Sequence, residues 1–218
     1  MATTTEHDEG LARINAEGVT LEGNLIVPRG ATGIVLFAHG SGSSRFSSRN
    51  RYVAEILRQS NLGTLLIDLL TQQEELVDTR TAHLRFDIDL LARRLVGATE
   101  WLGEQHPDLK VGLFGASTGG GAALVAAAEV PDRIAAVVSR GGRPDLAGDA
   151  LPLVKAPTLL IVGGDDVPVI AMNQEAFDRM TCVKRMEIVP GASHLFEEPG
   201  TLEQVAKLAS DWFKKYLR

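Results

Sequence analysis

Polar and apolar positions follow two different rhythms along this chain. "LARINAE" and "VTLEGNLIVP" alternate residue by residue around Glu17 and Gly18, the period of a strand with one covered face, and predict an antiparallel hairpin. Beyond it the alternation gives way to short continuous apolar runs: "GIVLFA", "GTLLID", "VGLFG", "IAAVVS", "TLLIVG" and "RMEIV". Runs of this length without alternation predict strands buried on both faces. Between them the spacing turns helical. Tyr52 to Leu57 forms one stripe, and Leu84, Ile88, Leu91, Leu95 and Leu102 form a longer one. Ala122 to Glu129 is dense in helix formers, and Leu202, Val205, Leu208, Ala209, Trp212 and Phe213 share one side of the last segment. Alternating strand and helix predicts an α/β fold, a mainly parallel sheet with helices on both faces.

No repeat, low-complexity tract or linker divides the pattern, so residues 11–218 are expected to form a single domain. The polar residues 1–10 are expected to be a flexible N-terminal tail. Open sheets of this class bind ligands at the carboxyl ends of their strands. That singles out His39 to Ser44, Asp68, Ser117, Arg140 to Arg143, the pair Asp165 and Asp166, and His194.

Composition removes several classes of function. The 28 acidic residues outnumber the 22 basic ones, and Lys and Arg nowhere cluster, so nucleic acid is not an expected partner. The single Cys182 can form no internal disulfide and reads as a small buried hydrophobe. "MATTTEHDEG" lacks the basic start and apolar core of a secretory leader, and no apolar run is long enough to span a bilayer; a cytoplasmic location without membrane partners is the expectation.

The chemistry centres on "GASTG", Gly115 to Gly119, the one G-x-S-x-G in the chain. It follows a strand-like run and opens a helix-like one, as a serine on a sharp strand-to-helix turn requires. Glycines flank such a turn because it tolerates only small neighbours, and the helix behind it aims N–H groups at any anion formed beside Ser117. A phosphate loop would need a Gly-Lys pair, which the sequence lacks, and G-x-G-x-x-G is also absent. A serine hydroxyl becomes nucleophilic only beside a base. Among five histidines, His194 in "VPGASHLFEEPG" is the one beyond the later strands, on a loop able to reach over Ser117. A carboxylate must orient that imidazole, and "TLLIVGGDDVPV" offers Asp165 and Asp166. The N–H groups of Thr118 and of Ser41, in the glycine-rich "FAHGSGSS", are the candidate oxyanion-hole donors. His39 then reads as structural, fixing its loop by hydrogen bonds. No His, Asp or Glu spacing suggests a metal site.

Together "AHGSGSS", "GASTG", "GGDD" and "GASHLF" resemble the α/β-hydrolase superfamily, and in size and spacing its dienelactone hydrolase-like branch. The resemblance implies an α/β-hydrolase fold of eight mostly parallel strands, with Ser117, Asp166 and His194 as a catalytic triad. Asp166 is selected over Asp165 by its spacing from Gly163 and Val169, which is similar to the family's. It further implies cleavage of small-molecule carboxylic esters through an acyl-enzyme intermediate, with no cofactor. Dienelactone hydrolase itself carries a cysteine nucleophile, whereas residue 117 is serine, so general ester hydrolysis is the expectation in place of lactone opening. Two other readings fit the same fold: a binding protein that retains a ligand without turnover, and a cofactor-free lyase or perhydrolase.

The segment "LLTQQEELVDTRTAHLRF" has room for a loop and a helix but no large lid domain, which suits small soluble esters. Arg45, Arg140 and Arg143 follow strands and are candidates for holding a substrate carboxylate. The competing expectation is that each is ion-paired in its loop, with Glu74 and Glu75 as natural partners. Oligomeric state is not legible in the chain.

Overall fold

The computed structural model describes residues 7–218. Its order is β1 (His7–Ala16), β2 (Val19–Pro28), β3 (Gly33–Ala38), α1 (Ser48–Gln59), β4 (Gly63–Ile67), α2 (Gln72–Thr81), α3 (Ile88–Gln105), β5 (Lys110–Ala116), α4 (Thr118–Glu129), β6 (Ile134–Arg140), β7 (Thr158–Gly163), α5 (Val167–Arg179), β8 (Lys184–Val189) and α6 (Thr201–Tyr216). The eight strands form one sheet in the order β1-β2-β4-β3-β5-β6-β7-β8. β1 and β2 pair antiparallel, β2 joins β4 antiparallel, and the other pairings are parallel. This is the α/β-hydrolase architecture expected from the sequence, with its N-terminal hairpin.

Two apolar cores lie on opposite faces of the sheet. On one, Leu91, Leu95, Ala98 and Leu102 of α3 meet α4 and the inner side of the hairpin. On the other, Val53 and Leu57 of α1 pack with Val205, Ala209 and Phe213 of α6 over Phe37 and Phe114. β3 to β7 read as unbroken apolar runs because both of their faces are covered, while in β2 buried positions largely alternate with exposed ones.

Two expectations need correction. Strand β1 begins at His7, so the tail does not reach residue 10; His7 to Gly10 pair in register with Pro28 to Leu25, and residues 1–6 lie outside the described residues. β8 is an edge strand, most of it only partly buried, because no strand follows it across the sheet. The segment after β6 contains a kinked 3-10 stretch, Pro144–Leu153, broken at Gly148. Its turns of three residues leave no 3.6-residue stripe to be read from the sequence.

The segment between β4 and α3 forms α2 and a 3-10 turn, Leu84–Phe86. Helix α2 has scarcely any apolar face and is held by polar contacts instead. Thr71 and Glu74 form a reciprocal capping box, and buried Asp78 accepts from the N–H groups of Leu84 and Arg85 and from the Arg85 guanidinium. Among the described residues no helix is long and apolar enough to cross a membrane.

Candidate active site

Ser117 sits between β5 and α4 with φ of 50°, in the left-handed region that a residue with a side chain enters only when its surroundings impose it. Close packing imposes it here. A Cβ on Gly115 would lie 2.4 Å from the Gly119 carbonyl oxygen, and one on Gly119 would lie 2.3 Å from that of Ala38. Both glycines are therefore required by contact, which is the physical content of G-x-S-x-G in this chain. The Ser117 carbonyl accepts from the N–H groups of Gly120 at 2.9 Å and Arg143 at 3.0 Å, locking the turn to the segment after β6.

Across the same sheet edge, His194 lies on the loop between β8 and α6. Its Nδ1 is 2.6 Å from Asp166 Oδ2, and Asp166 stands just before α5. The neighbouring Asp165 points to solvent and engages the loop only through its backbone N–H, which donates to the Ala192 carbonyl. The imidazole loop is held mostly by side chains. Glu198 accepts from the Ser193 N–H at 3.0 Å, a bond that holds its carboxyl below the usual carboxylate range. Phe196, fully buried with φ of 56°, anchors the loop in the core. Ser117 and His194 are brought to one strip of surface by Gly141, where a Cβ would lie 2.9 Å from the His194 carbonyl oxygen. Among the described residues no hydrogen bond joins the Ser117 hydroxyl to the imidazole.

The loop after β3 faces the serine turn. A Cβ on Gly40 would lie 3.1 Å from the Ser117 Cβ, so glycine lets this backbone close on the site. The Ser41 N–H donates to the Thr118 hydroxyl at 3.0 Å, which ties together the two residues singled out for the oxyanion hole. His39 holds the loop from beneath: its Nε2 accepts from the Leu69 N–H at 3.1 Å, which places the proton on Nδ1, 2.9 Å from the Gly40 carbonyl. Burial holds its pKa below the usual imidazole value, and an Nε2 that accepts a hydrogen bond belongs to a neutral ring.

The three arginines part company. Arg45 is clamped by Asp68 and by Glu22 at 2.8 Å, and Arg143 forms a two-bond fork with Asp145 at 2.9 and 2.7 Å. Glu74, expected to serve them, instead caps α2 and pairs with Arg94, because α2 turns it toward α3. Arg140 is buried, its guanidinium lies 5.9 Å from the Phe196 ring, and among the described residues no carboxylate pairs with it. Burial, then the nearby Arg49, push its pKa down to about 10, so it remains charged at neutral pH.

A cleft of about 900 Å³ opens beside the loop after β3, with His39, Ser43, Phe46, Leu70 and Leu76 among its walls. Ser117, Asp166 and His194 are not among its lining residues. No group of three His, Cys, Asp or Glu side chains is placed to hold a metal ion among the described residues. Sequence reasoning missed Arg49, Phe196, Glu198 and Asn173, whose buried side chain donates to the Gly142 and Val169 carbonyls. Phe196 and Glu198 lie within the segment quoted around His194, and Arg49 and Asn173 lie in none; each of the four acts through tertiary contacts.

The sequence profile of the dienelactone hydrolase family matches residues 68–217. The crystal structure of a dienelactone hydrolase from Anabaena variabilis is 67% identical, superposes with a TM-score of 0.95, and the alignment covers 97% of this chain and 99% of that one. An esterase of Pyrococcus furiosus, 20% identical with a TM-score of 0.79 over 99% of this chain and 94% of its own, shares the fold. A Mycobacterium tuberculosis protein provisionally named a phosphoribosyl transferase is 59% identical over 208 residues, 94% of this chain and 46% of its own length. The chain thus spans about half the length of the curated relatives it matches.

Proposed function

Since the chain belongs to the dienelactone hydrolase family, we propose that it is a serine hydrolase that cleaves small carboxylic esters through a covalent acyl-enzyme. The observation that carries this reading is the imidazole of His194, 2.6 Å from a carboxylate and on the same sheet edge as a serine held at φ 50°. Asp166 keeps the proton on Nδ1, which leaves Nε2 as the base.

Ser117 Oγ attacks the ester carbonyl as Nε2 takes its proton, and the negative charge collects on the carbonyl oxygen. The N–H groups of Thr118, at the start of α4, and of Ser41 stabilise that oxygen; the Ser41 N–H turns toward it from the Thr118 hydroxyl. Collapse expels the alcohol, which takes the proton from the imidazolium. Water then attacks the acyl carbonyl as it gives a proton to Nε2, and the imidazolium returns that proton to Ser117 Oγ as the Oγ–acyl bond breaks and the acid leaves. A rotation of the Ser117 hydroxyl or a small loop shift brings it to the imidazole, since catalytic hydrogen bonds tighten once substrate is bound. The open cleft lined by Phe46 and Leu76 gives a short apolar portion of the ester a place to lie, in keeping with the short segment, α2 and a 3-10 turn, that stands between β4 and α3.

A panel of 4-nitrophenyl acetate, butyrate and octanoate tests the proposal. The wild type is expected to hydrolyse the shorter esters and to be labelled by a fluorophosphonate at Ser117, while Ser117→Ala loses labelling and about a thousandfold or more in kcat/KM. Hydrolysis that persists undiminished in Ser117→Ala overturns the assignment. Labelling without turnover points to a ligand-retaining protein or to lyase or perhydrolase chemistry. The 59% identity to a protein named a phosphoribosyl transferase favours a second reading, transfer of a phosphoribosyl group. Release of pyrophosphate from a phosphoribosyl diphosphate donor, insensitive to Ser117→Ala, would establish it instead.

A further inference from the structure

Arg140 presents a charge without an answer. The residue is 7% exposed, and its Nε and Nη1 are sealed from solvent with no hydrogen-bond partner. The charge that bears on it is another cation, Arg49 of α1, whose own Nε is buried and unpartnered. Among the described residues one carboxylate touches the pair: Glu197 reaches Arg49 Nη1 at 3.1 Å, and its side chain is 63% exposed. Two guanidinium groups therefore share a single, loosely held negative charge. Buried guanidinium groups are ordinarily matched by carboxylates or carbonyls, as buried Arg94 is by Glu74 and the Ala16 carbonyl in this same molecule. Three sealed donor nitrogens of one sign, with an exposed and displaceable glutamate at the door, describe a site built for an incoming acceptor.

Its position gives it a use. Arg140 ends β6, and its carbonyl accepts from the Ser117 N–H at 3.4 Å. The next residue, Gly141, abuts His194, and the Arg140 guanidinium lies over Phe196 of the imidazole loop. An anion held there would stand beside the reacting centre.

We propose that Arg140 and Arg49 form a binding site for an oxyanion, a carboxylate or phosphate, and that the ester cleaved at Ser117 carries this group. The second half of the proposal rests on the serine-hydrolase reading; the first does not. Arg49 leaves Glu197 to share the anion, and Arg140 supplies the fixed half of the grip.

Binding is measured first on Ser117→Ala, which needs no turnover, by thermal shift with sodium phosphate or disodium succinate against sodium chloride at matched ionic strength. One of the two anions is expected to raise the midpoint beyond the chloride control. The rise is expected to vanish in Ser117→Ala carrying Arg140→Met or Arg49→Gln and to survive in part with Arg140→Lys. Phosphate alone, or succinate alone, identifies the group. No rise beyond chloride, or an equal rise in all variants, overturns the site.

Selectivity is measured second, on enzyme with Ser117 intact, as the ratio of kcat/KM for mono-(4-nitrophenyl) succinate, or for the butyrate ester bearing a terminal phosphate, to that for 4-nitrophenyl butyrate. Arg140→Met is expected to lower the ratio roughly tenfold or more, mainly through KM, and Arg140→Lys to restore part of it. An unchanged ratio in soluble Arg140→Met overturns the link to substrate; if that variant does not fold, Arg49→Gln decides by the same criterion. Anion binding in Ser117→Ala alongside esterase activity indifferent to that mutation would sink the nucleophile and leave the anion site standing.

Discussion

The two sides of the candidate site are held by different forces. On the serine side the constraint is backbone against backbone: Gly115 against Gly119, Gly119 against Ala38, and Gly40 against the Ser117 side chain. On the imidazole side it is side chain against loop, with Asp166 on His194, Glu198 on the Ser193 N–H and Phe196 in the core. The first arrangement cannot yield a few tenths of an ångström without moving a strand, whereas the second can lose one contact and keep its chain path. Under the proposed mechanism that division gives rigidity where a nucleophile and oxyanion donors must be placed and adjustable contacts where a proton must be passed.

The sharpest break comes from a single methyl group. Gly119→Ala would place carbon 2.3 Å from the Ala38 carbonyl oxygen and is expected to cost about 4 kcal/mol or more in stability, read by chemical denaturation, with activity lost alongside. A stable, active Gly119→Ala protein would remove the claim that packing dictates the turn. Asp166→Asn tests the other side. It should leave the unfolding midpoint close to wild type while kcat on 4-nitrophenyl acetate falls about a thousandfold or more, because the amide no longer steadies the imidazolium. Equal losses of stability and activity would erase the distinction between the two sides.

The smallest effect tests whether the serine side is wholly insensitive to charge. His39 is buried and neutral in the fold, whereas the unfolded imidazole takes up a proton near pH 6.5. Below that value the unfolded chain binds a proton that the native ring resists, so the contribution of His39 is complete above pH 6.5 and is lost as pH falls toward its lower native value. Denaturation midpoints measured from pH 7.5 to 5 are expected to fall more steeply for wild type than for His39→Gln. Parallel curves would show that the ring titrates alike in both states.

Local pattern made much of this legible. Unbroken apolar runs announced β3 to β7, and G-x-S-x-G between such a run and a helix-forming segment announced the turn at Ser117, because each depends on neighbours a few residues away. The run "RMEIV" predicts a buried strand, yet burial of β8 depends on whether another strand follows it, which the run does not record. Glu74 was paired with the wrong arginines because charge partners are chosen by helix orientation; the turn of α2 carried it to Arg94.

What the chain determines by itself is the set of elements, their order, and the small residues that allow a serine to occupy a left-handed turn. Period and steric size act over a few residues and are written in adjacent letters. Which aspartate meets His194, which arginine goes without a counter-ion and which glutamate ties down the imidazole loop were decided only by folding. Those contacts join residues tens of positions apart, Asp166 to His194 and Arg140 to Arg49 among them, and the sheet order that brings them together is a property of the whole chain.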